Sequence, residues 1–399
     1  MTPLPCGSRL TRRSLLATAA ALIPSRLYAQ TQTKAALGTP PSVITEPPRQ
    51  WGPLAPPDAY PDPDVLVIDP SFAPYIVRLA GLHRLATGFN WAEGPAWSSE
   101  GRYLVFSDVK GDTQYRYIWE TREVSAYRRP SFNSNGNSFD FQGRQLSTED
   151  FFRRVVRWET DGSMTVLADS YQGQPLNSPN DLVPHPDGSV WFTDPPYGGQ
   201  LTEGHPDVAG GRGNPNGIYN PVLGTHGVGL IGGIKGVLPT NTYRRDPSGR
   251  LDVVVSGDEV PDPNGLCFSP DYKTFYLIST GPGPGQTKGG KGVIYAFDVH
   301  GTKLANKRLF SDCMVDGVHC GPDGMRADRA GNLWVGSNAP LGYCGVTVWN
   351  KAGKLIGRIR LPEVCANVAF GGPKRNYLFM AASQSLYGLL LNIQGAAPG

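Results

Sequence analysis

The chain has no run of ~20 apolar residues, which excludes a helix that spans a membrane. It has no excess charge of one sign to speak of. The formal charge is +3, but the first 29 residues carry four Arg and no acid, so the remainder sits at −1. That balance gives no electrostatic case for nucleic acid or an anionic lipid surface. Three catalytic signatures are missing as well. There is no His-Glu-x-x-His, no Gly-x-Ser-x-Gly elbow and no phosphate loop. Without Cys-x-x-Cys spacing, a cysteine zinc site is excluded too. Long amphipathic helices are lacking outside the extreme N-terminus.

Turn formers and aromatics are abundant. The 399 residues include 50 Gly, 37 Pro, 8 Trp, 17 Tyr and 15 Phe. This composition belongs to short strands joined by tight turns. Residues 1–29 read as an export signal, with Arg9, Arg12 and Arg13 ahead of the apolar run Leu15 to Ile23. Thr11-Arg12-Arg13-Ser14-Leu15-Leu16 resembles the twin-arginine pattern, which predicts a periplasmic or secreted protein. Residues 30–76 hold nine prolines between Pro40 and Pro63 and read as a linker or strap. Residues 77–392 read as one β domain.

Six segments of that domain share a template: a polar residue beside Gly, Pro or Asp, an apolar strand, a turn, then an outgoing strand. They begin at Glu93, Asn135, Asn180, Asn264, Asp323 and Asn367, at spacings of 42, 45, 84, 59 and 44 residues. Such spacing is that of a four-stranded propeller blade, so the fold class is all-β, a six-bladed β-propeller. The strand near His83 to Phe89 is expected to close the ring with the last blade. The long interval is assigned to Gly198 to Gly236, a loop over one face that is either a lid or filler.

In a propeller the innermost strands line the axis, so the six template residues fall on a ring. A single Asn there reads as a turn former. Six carboxylates and carboxamides in register read as a site. Oxygen ligands of modest charge suit Ca²⁺, Mg²⁺ or Mn²⁺ better than Zn²⁺. Tyr197 either stacks on a sugar ring at the rim or packs a turn. Cys313 with Cys320, and Cys344 with Cys365, are candidate disulfides, leaving Cys267 as a small apolar residue.

The motifs Glu93-Gly94-Pro95, Ser178-Pro179-Asn180-Asp181, Thr193-Asp194-Pro195-Pro196-Tyr197-Gly198, Pro263-Asn264-Gly265-Leu266 and Pro322-Asp323-Gly324-Met325 resemble a known family. It is the senescence-marker-protein, gluconolactonase and regucalcin-like family of six-bladed propellers, and the likeness is to its bacterial gluconolactonases. The resemblance covers roughly Ala92 to Tyr387. It implies a divalent cation, Ca²⁺ foremost, held by Glu93, Asn264 and Asp323, with Asn180 as a fourth ligand or bound through water. It implies substrate contact at Asn135 and Asn180, and Asp323 as general base. A carboxylate beside a cation is a weak base, so Asp323 either takes the proton or serves to hold the ion. One departure stands out: Thr148-Glu149-Asp150 occupies a position where related bacterial sequences tend to have a His. The activity implied is hydrolysis of a small-molecule lactone. The alternatives are a fluorophosphatase-like reaction on the same site, or a metal-binding propeller without turnover.

Overall fold

A computed structural model describes residues 39–195, 197, 230–231, 234–235, 238–281 and 290–396. The expected signal at 1–29, most of the loop Gly198 to Gly236, and residues 282–289 lie outside the described residues. No helix among the described residues is long and apolar enough to cross a membrane.

Each template segment folds as the inner antiparallel pair of a four-stranded blade. Blade 1 comprises Ala92–Ser98, Tyr103–Asp108, Thr113–Ile118 and Val124–Arg128. Blade 2 comprises Ser134–Phe139, Gln145–Glu149, Arg154–Trp158 and Met164–Ala168. Blade 3 comprises Leu182–Pro184, Val190–Thr193, Thr242–Arg245 and Leu251–Val255. Blade 4 comprises Pro263–Phe268, Thr274–Ser279, Val293–His300 and Lys303–Ser311. Blade 5 comprises Gly321–Ala327, Leu333–Asn338, Gly345–Trp349 and Leu355–Arg360.

Blade 6 takes three strands from the end of the chain, Cys365–Gly371, Tyr377–Ala382 and Ser385–Leu390. Its fourth is His83–Thr87, which pairs antiparallel with Ser385–Leu390. The ring therefore closes by hydrogen bonds between the two ends of the domain, as the sequence predicts. The long interval falls between the second and third strands of blade 3.

The proline-rich segment lies against the domain. Arg49 is its anchor: Nη1 pairs with Asp62 at 2.8 Å and Nη2 donates to the Leu82 carbonyl at 2.7 Å. Trp51 packs edge-on against Tyr387 with centroids 5.2 Å apart. Val65–Val67 then adds a fifth strand to the outer edge of blade 5.

Apolar side chains fill the seams between blades. Leu146 and Val155 of blade 2 meet Phe192 and Tyr243 of blade 3. Trp191 meets Phe268 and Phe275 in the seam between blades 3 and 4. Each such phenylalanine contributes about 2–3 kcal/mol by leaving water. These seams hold the six inner strands at fixed distances from the axis.

The expected disulfides are corrected by the structure: all five described cysteines are free and buried. Cys320 instead donates its backbone N–H to the Cys313 carbonyl at 2.9 Å, and Cys344 directs its thiol to the Leu361 carbonyl at 3.2 Å. The thiols sit in seam cores, where burial pushes Cys267 and Cys313 up to about 12 and makes them inert.

Candidate active site at one end of the propeller axis

The inner strands do not run regularly through the ring positions. The pairing of inner and second strands slips between Glu93 and Ala96, Ser134 and Asn137, Pro263 and Leu266, Pro322 and Met325, and Cys365 and Asn367. A bulge of this kind re-aims the side chains it contains. Glu93, Asn135, Asn264 and Asp323 each lie inside or at the edge of one. Asn180 stands two residues before the inner strand of blade 3, and its N–H already bonds the Thr193 carbonyl at 2.9 Å.

Glycine after the ring residue lets neighbouring inner strands close up. A Cβ on Gly94 would sit 2.0 Å from the Asn135 carbonyl oxygen, and one on Gly265 would sit 2.3 Å from that of Asp323. The same close approach recurs at Gly136 against Asn180 and at Gly324 against Asn367. Any larger residue would push adjacent blades apart at the height of the ring.

All six ring residues but Asp323 are buried at 6 % exposure or less. Asn264 and Asp323, from adjacent blades, touch: Asn264 Nδ2 donates to Asp323 Oδ1 at 2.9 Å. Burial pushes the Cys365 thiol well up, and the charges of Glu93 and Asp323 add to that shift. Glu93 Oε2 accepts from the Gly94 N–H. Asn135 is 1 % exposed, and neither its Nδ2 nor its Oδ1 has a hydrogen-bond partner among the described residues. Leaving a buried amide unpaired costs free energy, so its presence points to a ligand that pairs it.

Asn367 behaves differently. Its Oδ1 accepts from the Val368 N–H at 2.9 Å and its Nδ2 reaches Asp181 Oδ2 at 3.4 Å. Asp181 in turn pairs with Arg326 of blade 5, with Nη1 at 3.1 Å and Nη2 at 3.3 Å. The pair spans from blade 3 to blade 5 and is almost fully buried. Because the inner strands run away from the ring, Arg326, three residues beyond Asp323, forms a floor beneath it. Sequence reasoning missed this floor. Its signal was the charge in Met325-Arg326-Ala327, since an arginine on a buried inner strand must find a carboxylate.

At the departure noted above, Thr148 Oγ1 donates to the Asn180 carbonyl at 2.8 Å and accepts from the Gly136 N–H at 2.9 Å. Glu149 pairs with Arg154 at 2.6 Å. Tyr197 is buried, and its hydroxyl donates to the Asp262 carbonyl at 3.2 Å, tying blade 3 to blade 4. His319, four residues before Asp323, bonds the Gly292 carbonyl through Nε2 at 2.7 Å.

The donor set suits a hard cation. Glu93 and Asp323 bring two carboxylates and Asn180 and Asn264 bring amide oxygens, the charge and donor type that such an ion would need. Among the described residues no three His, Cys, Asp or Glu side chains cluster as a metal site.

Residues 91–384 match the model of the SMP-30/Gluconolactonase/LRE-like region. The chain belongs to that family. It is 28% identical over 325 residues to a gluconolactonase of Zymomonas mobilis, covering 76% of this chain and 79% of the relative. It is 26% identical over 308 residues to a pentonolactonase of Haloferax volcanii, covering 74% and 83%. Among solved structures, a gluconolactonase from Xanthomonas campestris superposes with a TM-score of 0.67 at 30% identity, over 86% of this chain and 98% of that one.

Proposed function

We propose that the chain is a lactonase that opens a sugar lactone with the help of one divalent cation at the ring. The observation that carries this is the contact of Asn264 with Asp323, at the ring level that also holds Glu93 and the Asn135 amide, which has no partner among the described residues. The family and its gluconolactonase and pentonolactonase members support lactone hydrolysis. The cation rests on the donor chemistry, with Ca²⁺ the best match to the mixed carboxylate and carboxamide set.

Glu93, Asn264 and Asp323 would hold the ion, with Asn180 beside them, and the bound ion would polarise the lactone carbonyl as a Lewis acid. Asn135 offers its Nδ2 to the oxyanion or to a ring hydroxyl, and its Oδ1 to a second hydroxyl. Asp323 either takes the proton of the attacking water or, with its basicity lowered by the ion, serves only to hold that ion. The Arg326–Asp181 pair closes the axis below, so substrate arrives from the ring face. The leader-like Thr11-Arg12-Arg13 sequence supports action outside the cytoplasm.

The test is hydrolysis of glucono-1,5-lactone by the purified protein, before and after chelation and with Ca²⁺ restored. The reading expects activity that chelation removes and Ca²⁺ returns. Inertness toward a lactone panel, together with hydrolysis of a fluorophosphate, would replace it.

A further inference from the structure

Three phenylalanines gather on the ring face of blade 2. Phe132 lies on the crossing into the inner strand of that blade, three residues before Asn135. Phe151 and Phe152 follow its second strand, which runs back toward the ring and ends at Glu149. The two segments are stitched together: Phe151 N–H donates to the Phe132 carbonyl and Asp150 N–H to the Asn133 carbonyl, both at 3.2 Å. Ring centroids lie 4.8 Å apart for Phe132 and Phe152, and 5.1 Å for Phe151 and Phe152. Arg154, held by Glu149, covers Phe152 at 4.5 Å and Phe132 at 5.7 Å. Even so, 44 % of Phe152 remains in solvent.

The backbone under this cluster is strained. Phe132 has φ +58° and Asn133 φ +51°, the left-handed region. Asn tolerates that region; a bulky ring does not. The turn persists because it is held from several sides. Asp112 Oδ1 accepts from the Ser131 N–H at 3.0 Å and the Asn133 N–H at 2.9 Å, and Asn133 Nδ2 donates to the Val109 carbonyl at 2.8 Å. Glycine at 132 would relieve the strain, but the chain places an aromatic there.

From the strained aromatic, the exposed partner ring and the adjoining amide of Asn135, unpaired among the described residues, we infer that this cluster receives an apolar alkyl or aryl arm of the lactone substrate. The inference rests on the lactonase reading and narrows its substrate class. The three rings carry no polar atom, so they give the hydroxyls of a sugar lactone no hydrogen-bond partner. They remove an apolar arm from water while its ester group lies at the ring.

The test compares kcat/KM for a δ-lactone bearing a pentyl arm with kcat/KM for glucono-1,5-lactone, in the wild type, Phe152→Ala and Phe152→Leu. The expected result is a ratio that falls about tenfold in Phe152→Ala, through KM for the pentyl lactone, and by about threefold in Phe152→Leu. The leucine variant keeps the contact with Phe132 and Phe151, so it carries the test if the alanine variant does not fold. A ratio that does not move, or a wild type that hydrolyses gluconolactone but not the pentyl lactone, overturns the inference and leaves the lactonase reading intact. Hydrolysis of neither lactone overturns both.

Discussion

The two ends of the propeller axis are built from the same six strands, and they differ completely. At the ring end stand Glu93, Asn135, Asn264 and Asp323, on strands whose pairing slips at that level. At the far end the same strands finish in apolar residues around a cavity of about 30 Å³, among them Val183, Phe268, Ala327 and Phe370. The C-terminal segment caps that end, with Ala396 N–H bonded to the Ala327 carbonyl at 2.9 Å. Between them lies the Arg326–Asp181 pair. Three or four residues of strand thus take the axis from carboxylates and carboxamides to apolar side chains. The bulge makes the difference, because regular pairing would carry the apolar alternation through the ring.

Substitution at the ring should touch chemistry, and substitution at the floor should touch stability. Asp323→Asn has the largest expected effect, a roughly 10²–10⁴-fold loss of kcat on glucono-1,5-lactone with the fold retained by circular dichroism. A rate near wild type would remove Asp323 from the mechanism. Arg326→Met should strand the Asp181 carboxylate in a dry site and cost on the order of 3–5 kcal/mol in urea unfolding. A loss below ~1 kcal/mol would show that the floor is solvated.

Asn135→Ala is next. It breaks no hydrogen bond within the described protein, so the melting temperature should hold while kcat/KM falls about tenfold. A drop in melting temperature with unchanged kinetics would assign Asn135 to structure.

The smallest effect concerns Asp194, at the ring face of blade 3. Burial pushes its carboxyl up to about 7, against the N–H groups of Asn177 and Ser178 and the charge of Arg153. In the unfolded chain an aspartate titrates near 3.9. The folded state therefore holds the proton between about pH 4 and 7, and the stability Asp194 contributes is lost as pH rises through that window. Relative to Asp194→Asn, the wild type should lose stability from pH 4 to 7 and run parallel above it. Thermal unfolding of both proteins across pH 4–9 checks this, and parallel curves throughout would contradict it.

Much of the fold was legible because each blade repeats one local pattern. The inner strand, the Asp- or Gly-bearing turn and the outgoing strand are local features, and the closure by His83–Thr87 followed from counting strands. Equal register in equal blades likewise put Asn264 and Asp323 at one level of adjacent blades, where they touch. What was not legible depends on pairs far apart in sequence. Arg326 and Asp181 are separated by 145 positions, and no periodicity marks their meeting. Asn367 shows the limit of the register argument: it shares the ring position, yet its amide serves Asp181 and its own strand. The disulfides failed because seam cores already bury those thiols, and spacing alone says nothing of how Cβ atoms face.

The central claim is that Glu93, Asn264 and Asp323 converge on one divalent cation. Calorimetric titration of chelator-treated protein with Ca²⁺ addresses it directly, in the wild type and in Glu93→Gln and Asp323→Asn. The account predicts a single site per chain in the wild type, weakened at least tenfold in each variant. Absent binding in the wild type, or binding that both variants retain at full strength, would contradict it.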